Sequence, residues 1–255
     1  MRFFFTELKK RNLLLYRMGW LHLLAAVTCF ILIQFDSTLL LCIDRWIKPM
    51  KFFISVTIMT WTMGWLMYYL ANSKRVVFFS WAIAITMFIE NAIITAQSAR
   101  DTTSHFNNSS ALNIALFAAM GVVILLFTIT IVFIIIEFLR QKIFTISPAY
   151  LLSIIMGLIL FLIFTSEGGM MLGNGAHTVG APDGGPGLPV TNWSMQYGDL
   201  RIAHFFGMHA LQLIPLFGFY VATSKKQVWI VSGIYFILVS SLLIQAIQGY
   251  SLFHL

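Results

Sequence analysis

Seven apolar runs, each long enough to cross a lipid bilayer, constrain this chain more than any other feature of its sequence. They cover residues 18–35, 50–70, 76–97, 111–136, 143–165, 202–222 and 228–249. The hydrocarbon core of a bilayer is about 30 Å thick and needs roughly 20 apolar residues in helical form. Lipid offers no partner for backbone N–H and C=O groups, so these runs must be helical. We therefore predict an all-α integral membrane protein with seven transmembrane helices.

The composition excludes the soluble classes of protein. Hydrophobic residues make up 59% of the chain and charged residues only 10%, whereas about a quarter of a soluble domain is charged. The net charge is +7, and positive proteins can bind the phosphate backbone of nucleic acids. However, the basic residues lie in short clusters between the apolar runs, so we expect no nucleic-acid partner. The expected partners are the lipid bilayer and a small-molecule or lipid substrate.

The basic clusters also predict the orientation. They fall on one side of the membrane and comprise Lys9, Lys10, Arg11, Arg17, Lys74, Arg75, Arg140, Lys142, Lys225 and Lys226. The connections on the other side, 36–49, 98–110 and 167–200, are poorer in Lys and Arg. The positive-inside rule then places the N-terminus in the cytoplasm and the C-terminus outside. We divide the chain into a cytoplasmic basic segment, 1–17, and a seven-helix domain, 18–255, whose long external loop is 167–200.

Two segments outside the apolar runs are expected to lie along the membrane surface. Residues 1–17 would place the aromatic residues 3–5 in lipid and the basic residues 9–11 near anionic headgroups. Residues 36–49 would form an interfacial helix with Trp46 at the headgroups. The first apolar run is too long for a signal-peptide core and lacks a small-residue cleavage site, so we expect a signal anchor. Together with the short loops, this predicts a bacterial inner (cytoplasmic) membrane.

Titratable side chains inside the apolar runs collect in the half of the membrane that we predict to be external. Glu90, Glu167, His204 and His209 lie there, whereas the internal half has His22 alone. Such groups are costly in lipid and usually face the interior of the helix bundle or a water-filled cavity. We therefore predict a polar chamber that opens to the outside.

Helical spacing places further polar residues on shared faces. The sixth and seventh runs each have such a stripe, composed of Arg201, His204, Met208 and Gln212 in one and of Ser241, Gln245 and Gln248 in the other. Pro215 also lies in the sixth run, where it removes a backbone donor and clashes with the carbonyl of Leu211. The sequence thus predicts a kink at Pro215.

The external connection 167–200 is the most unusual segment of the chain. Loops of this length are usually functional or disordered. This one contains His177 and Asp183 as well as two aromatic residues, so we predict an ordered cap over the chamber; the alternative is a flexible glycine-rich connector. Asp199 fits the N-cap of the sixth helix. Arg201 would pair with an acidic residue or bind an anionic group through two hydrogen bonds.

The leading functional hypothesis is metal binding, or metal-dependent enzyme chemistry, at the outer leaflet. Imidazole and carboxylate groups are ligands for zinc, iron and copper, and a metal-bound water supports hydrolysis. The predicted metal ligands are His204, His209 and His177, and the predicted catalytic groups are Glu90, Glu167, Asp183 and Arg201. A haem group ranks lower, because only His209 among these histidines lies deep in a run.

Two other functions remain open at this stage. In a transporter or proton-coupled carrier, Glu90 would load and release a proton and Arg201 would attract an anion. Against a carrier, the polar residues stop halfway across the membrane and no internal repeat is visible. In a non-catalytic subunit of a membrane complex, the polar groups would only hold helices together. That function does not explain the long external loop.

Overall fold

The computed structural model describes residues 2–253. Within them the chain forms two compact units, one that ends at Gln141 and one that begins at Lys142. Both units are built almost entirely of helices. Each is described by itself below.

The first unit contains five helices, one 3₁₀ turn and a short hairpin within its described part. Its elements are α1 (Arg2–Arg11), α2 (Leu13–Leu32), β1 (Leu39–Leu40), β2 (Ile43–Asp44), α3 (Ile47–Leu66), the 3₁₀ turn (Met67–Tyr69), α4 (Ser73–Ala99) and α5 (Ala111–Arg140). Helix α2 packs mainly on α3, and α4 packs on α3 and α5. Asn12, Asn72 and Ser110 cap the first turns of α2, α4 and α5, since their side chains accept backbone N–H groups there.

Helix α1 folds back onto α2 and α3 instead of lying wholly in lipid. Leu8 is fully buried. The ring of Phe5 lies 4.9 Å from that of Trp61 and 5.1 Å from that of Trp20. Phe3 alone of the aromatic residues 3–5 is mostly exposed, at 78%. The expectation that all three enter lipid was therefore wrong for Phe5, because a single capping residue separates α1 from α2 and brings the two helices together.

Arg11 fixes the end of α1. Its guanidinium carbon lies 3.8 Å from the ring centre of Trp65, 4.5 Å from that of Tyr68 and 5.2 Å from that of Tyr69. It also donates to Glu7 and to the Tyr69 hydroxyl. Cation–π contacts of this kind contribute about 0.5–2 kcal/mol each, depending on exposure.

The connection between α2 and α3 is a β-hairpin, not the interfacial helix that we expected. Strands β1 and β2 pair antiparallel, and the two residues between them, Leu41 and Cys42, have φ of 53° and 63°. Positive φ at both central residues is the geometry of a tight hairpin turn. Arg45 then bridges Asp36 and Asp101. Hydrogen bonds from Thr38 and from the Trp46 indole, together with Arg45, hold the pKa of Asp36 well below its usual range.

The second unit is organised around the pairing of α6 with a broken helix. Its elements are α6 (Pro148–Thr165), α7 (Glu167–Asn174), β3 (Thr178–Val179), β4 (Gly198–Asp199), α8 (Leu200–Met208), α9 (Ala210–Tyr220) and α10 (Lys225–Ile247). Helix α6 packs on α8 and α9, and α10 packs on α8 and α6. The core between them comprises Leu160, Phe164, Ala203, Ala210, Ile214 and Val239.

Glycines let these helices approach closely. A Cβ on Gly218 would lie 1.9 Å from the Ser153 hydroxyl oxygen, and one on Gly207 would lie 2.2 Å from Cβ of Phe164. Small residues at helix contacts are typical of membrane proteins, in which packing replaces the hydrophobic driving force.

Six helices within residues 2–253 are long and apolar enough to cross a membrane. They are Leu13–Leu32, Ser73–Ala99, Ala111–Arg140, Pro148–Asn174, Leu200–Tyr220 and Lys225–Ile247. Large side chains on them, such as Phe78 and Ile237, are about two-thirds exposed, as side chains that face lipid are. The chain is thus an all-α integral membrane protein. Helix α3 has 20 residues, but it includes the charged residues Lys48 and Lys51 and is not among these six helices. That α3 is a seventh span therefore stays a prediction.

The predicted external loop begins later than we expected. Residues 167–174 of that segment are helical and form α7, which continues the apolar helix begun by α6. Gly175, in the left-handed conformation with φ of 69°, ends α7. Met170, Met171 and Leu172 favour a helix enough to outweigh the neighbouring glycines. The irregular loop therefore spans 175–197.

The sixth apolar run breaks at His209 and not at Pro215. Its backbone N–H bonds to the carbonyls of Phe205 and Phe206, and the Tyr235 hydroxyl donates to Phe206 as well. These bonds tighten the end of α8 and start α9 at the next residue. Pro215 lies inside α9 and faces Gly157 of α6, where a Cβ would lie 2.8 Å from its ring.

Candidate functional site

The loop 175–197 of the second unit is held by two buried or half-buried carboxylates. The first is Asp183, which accepts the backbone N–H groups of His177 and Thr178, each at 3.0 Å. Nδ1 of His177 lies 2.5 Å from its other oxygen. Burial alone would raise the pKa of Asp183, but the hydrogen bonds and the charge of His177 outweigh it and lower the pKa well below its usual range. Asp183 therefore holds His177 in place.

The second carboxylate is Asp199, which is only 1% exposed. It caps α8 by accepting the backbone N–H of Arg201 at 3.0 Å, as predicted, and it accepts Ser194 N–H at 2.7 Å. The guanidinium of Arg201 donates to both carboxylate oxygens, at 2.8 and 2.5 Å, and to the carbonyl of Asn192 at 2.5 Å. The predicted pairing of Arg201 with an acidic residue is confirmed, and it ties the loop to α8.

Aromatic contacts close the loop over the first turns of α8. The ring of Trp193 lies 5.5 Å from that of Phe205 and 6.2 Å from that of Phe206. The edge of the His209 ring meets Phe205, with ring centres 4.5 Å apart. The loop is therefore held against α8 by two acidic anchors and by the contacts of Trp193 with Phe205 and Phe206, whereas the chamber that it was predicted to cover stays a prediction.

His204 is fixed at the C-terminal end of α6. Its Nδ1 lies 3.0 Å from the backbone carbonyl oxygen of Phe164. His204 and His177 are close enough to interact electrostatically. Phe164 is three residues before Glu167, the first residue of α7. His204 is therefore held near the junction of α6 and α7, where Glu167 lies.

Glu167 is a buried acid without a hydrogen-bond partner. The residue is 2% exposed, and neither carboxylate oxygen has a partner among residues 2–253. A buried polar group without a hydrogen bond costs about 1–3 kcal/mol. Natural proteins rarely retain such a group unless it has a function or binds something.

His209 lies at the junction of α8 and α9. Its Nδ1 is 3.2 Å from the side-chain oxygen of Gln212. The face predicted for the sixth run therefore carries His204 and Gln212, with His209 at the break. The stripe predicted for the seventh run does not face the interior of the second unit, since Ser241 on α10 and Gln248, the residue after its end, are exposed.

Glu90 belongs to the first unit, unlike the other predicted site residues. It is 4% exposed, and its neighbour Asn91 is 2% exposed. Within the described chain, Oε2 of Glu90 and both polar atoms of the Asn91 side chain lack a hydrogen-bond partner. Lys48 interacts electrostatically with Glu90. Asn91 was missed in the sequence, although a polar residue in the middle of an apolar run is the same signal that identified Glu90.

The structure thus brings together only part of the predicted site. His177 and Asp183 are bonded, and His204 lies near His177. In the part of the chain that the structure describes, no three His, Cys, Asp or Glu side chains are already grouped as a metal site requires.

Comparisons with known proteins point to no relative. No family model matches the chain, and neither a curated protein nor a solved structure is similar to it.

Proposed function

We propose that this protein is a seven-helix membrane protein that binds a transition-metal ion on the external side of its second unit. In this proposal the N-terminus is cytoplasmic and the C-terminus external, as the basic clusters indicate. The membrane would be the cytoplasmic membrane of a bacterium. The ligands would be His204, His177 and Glu167, with His209 as a further candidate. Such a site would serve metal binding or metal-dependent chemistry at the outer leaflet.

The observation that carries the proposal is the buried, unpartnered carboxylate of Glu167. Bound metal would supply the positive charge and the ligand bonds that this acid lacks. Carboxylate and imidazole ligands together suit zinc, iron and copper.

The hydrogen bonds of the histidines support the same proposal. Nδ1 of His177 contacts Asp183, and Nδ1 of His204 contacts the Phe164 carbonyl. Histidines that bind a metal almost always donate their other ring nitrogen to a carboxylate or a backbone carbonyl, which orients the ring. In this arrangement Nε2 of each ring would be the ligand atom.

The test is metal analysis of the purified full-length protein after exposure to zinc, iron or copper. Asparagine is the informative replacement, because its amide nitrogen reproduces Nδ1 while the ligating Nε2 is lost. We expect near-stoichiometric metal in the wild type and at least about tenfold less in His204→Asn and His177→Asn. His209→Asn tests the junction residue in the same assay.

His105→Asn provides the matched control. His105 lies in the first unit, where its Nδ1 contacts Lys48 and Ser104. The control should keep wild-type metal content. Unchanged, sub-stoichiometric metal in the wild type and every variant would exclude the site, and full occupancy in His204→Asn would exclude His204 as a ligand.

A proton-coupled carrier is the second candidate, and Glu90 favours it. A buried carboxyl group inside an apolar helix, with one oxygen unpartnered, is suited to binding and releasing a proton. Proton flux in proteoliposomes should then fall in Glu90→Gln and persist in Glu137→Gln, whose side chain pairs with Arg75. Protein that neither binds metal nor moves protons would favour the third function, a non-catalytic subunit.

A further inference from the structure

The second unit contains an open groove of about 360 Å³ at the end where α6 and α10 begin. Its apolar lining consists of Phe144, Ile146, Pro148, Leu151, Leu152 and Ile155. Two basic residues, Lys142 and Lys225, line the groove as well. Glu167 follows the opposite end of α6, so the groove is separate from the candidate metal site.

The two lysines give the groove a positive charge that the second unit does not balance. Both are exposed, and neither takes part in an ion pair within residues 2–253. The acidic residues of this unit all come after α6 in the chain, between positions 167 and 199. The groove is therefore suited to a ligand that carries negative charge.

The apolar lining continues from the lysines along α6. Leu151, Leu152 and Ile155 are half-buried, and their spacing of three and four residues places them on one face of the helix. Helix α6 begins one of the segments that are long and apolar enough to cross a membrane. A hydrocarbon chain that lies along this face would bury apolar surface against all three side chains.

The length of α10 places Lys225 where a span meets the lipid headgroups. The helix has 23 residues and begins at Lys225, which corresponds to about 35 Å against a hydrocarbon core of about 30 Å. Trp229, one turn further on, is 57% exposed, and tryptophan is enriched where spans enter the headgroup region. The charged part of a lipid is therefore within reach of Lys225.

Charge and apolar surface together select the class of ligand. A small free anion would leave the apolar face of α6 uncovered, and a zwitterionic lipid has no net charge to offer two lysines. We infer that the groove binds an anionic phospholipid, with its phosphate between Lys142 and Lys225 and one acyl chain along Leu151, Leu152 and Ile155. The lysine ammonium groups donate charge-assisted hydrogen bonds to the phosphate oxygens. Basic pockets between transmembrane helices bind headgroups in this way.

The test is photolabelling of the full-length protein in phosphatidylcholine nanodiscs that contain a phosphatidylglycerol with a photoreactive acyl chain. Peptide mapping should place the label on the groove, between residues 144 and 155. Unlabelled phosphatidylglycerol should compete, whereas phosphatidylethanolamine with the same acyl chains should not. Inorganic phosphate should compete no better than sodium chloride of equal ionic strength.

Substitution of the lysines gives the quantitative prediction. The mole fraction of lipid that half-saturates labelling should rise about fivefold in Lys142→Gln or Lys225→Gln and about 25-fold in the double variant, because each lysine contributes separately to binding an anionic headgroup. All of these side chains are exposed, so the fold should be retained. Lys225→Arg keeps the charge and should label like the wild type.

Lys226→Gln is the matched control. Lys226 is the exposed neighbour of Lys225 and carries the same charge, but it does not line the groove. This variant should half-saturate at the wild-type mole fraction. Equal half-saturation of the wild type and the double variant would overturn the proposal. So would competition by phosphatidylethanolamine, which would show that the charge is not recognised, or displacement by phosphate beyond the salt effect, which would assign the site to a free anion.

Discussion

Nδ1 of His204 lies 3.0 Å from the backbone carbonyl oxygen of Phe164. A carbonyl oxygen can only accept a hydrogen bond, so Nδ1 carries the proton. In the neutral imidazole the lone pair is then on Nε2, the nitrogen that a metal ion would bind. One contact between α8 and α6 therefore selects both the orientation and the tautomer of this ring.

Two replacements of His204 distinguish the hydrogen bond to the Phe164 carbonyl from metal binding. We expect His204→Leu to lower the free energy of unfolding by about 1–3 kcal/mol, because the Phe164 carbonyl loses its donor in a buried position. His204→Asn keeps a donor near Nδ1 and should remain within about 1 kcal/mol of the wild type. Thermal unfolding of metal-free protein in detergent measures both values. Equal loss in the two variants would show that the hydrogen bond contributes little.

A methyl group on Gly218 should destabilise the second unit. The added Cβ would lie 1.9 Å from the Ser153 hydroxyl oxygen, so α6 and α9 must move apart. Overpacking of this kind costs about 1–3 kcal/mol. We expect a lower unfolding temperature for Gly218→Ala, measured by the same thermal assay.

Gly233→Ala is the control for that substitution. Nothing lies within 4 Å of a Cβ at Gly233 on α10, and alanine favours a helix over glycine by about 1 kcal/mol. This variant should be as stable as the wild type or more stable. A Gly218→Ala protein that unfolds at the temperature of Gly233→Ala would contradict the close packing of α6 on α9.

The anchoring of the loop 175–197 should weaken in acid. The pKa of Asp183 lies below its usual range in the folded protein, whereas it is about 3.9 in an unfolded chain. The stabilisation is therefore complete above about pH 4 and is lost as the pH falls through the folded-state pKa. Hydrogen exchange of the His177 and Thr178 amides, corrected for the intrinsic rate, should accelerate in that window.

Asp183→Asn should remove this pH dependence. The amide cannot ionise, so exchange at His177 and Thr178 should be faster than in the wild type at pH 6 and should not change further in acid. Loss of a hydrogen-bonded carboxylate predicts a cost of about 1.5–3 kcal/mol for local opening. An unchanged acid response in Asp183→Asn would assign the effect to another group.

Glu167 should destabilise the metal-free protein. Its carboxylate is buried without a hydrogen bond, and methionine has a similar length without the polar oxygens. We expect Glu167→Met to raise the free energy of unfolding by about 1–3 kcal/mol, while metal content falls. A variant less stable than metal-free wild type would mean that Glu167 has a stabilising partner.

The matched variant for this prediction is Glu137→Met on α5. Glu137 pairs with Arg75, whose side chain is 52% exposed. A pair of this exposure contributes about 0–1 kcal/mol, so the loss should be small. Stability changes of opposite sign in the two variants would distinguish an unpartnered acid from a paired one.

Hydrophobic run length predicted the helices because it reflects a property of each segment alone. Each apolar run contains a helix, although the fifth becomes helical only at Pro148, and Asp199 caps α8 as its position suggested. The hairpin at Leu41 and Cys42 could not be predicted in this way, since neither residue type favours positive φ. Arg45, just after the hairpin, binds Asp36 before it and also Asp101, which is distant in the sequence.

The candidate site was predictable by residue type but not by arrangement. Titratable residues in apolar runs identified Glu90, Glu167 and His204. That Arg201 would bond to Asp199 and Asn192, and not stay available for a substrate, depends on how the loop folds back on α8. Near the break at His209 the Phe206 carbonyl accepts a hydroxyl from α10, a contact that the spacing within α8 and α9 could not reveal.

Arg11 has a consequence for how the beginning of the chain behaves on a membrane. A mobile polybasic tail binds anionic lipid through long-range attraction that salt weakens. A guanidinium that rests on Trp65 and Tyr68 at 3.8 and 4.5 Å is held at short range, where mobile ions screen poorly. Residues 2–11 are accordingly a structural part of the first unit, and raising the ionic strength should not detach them.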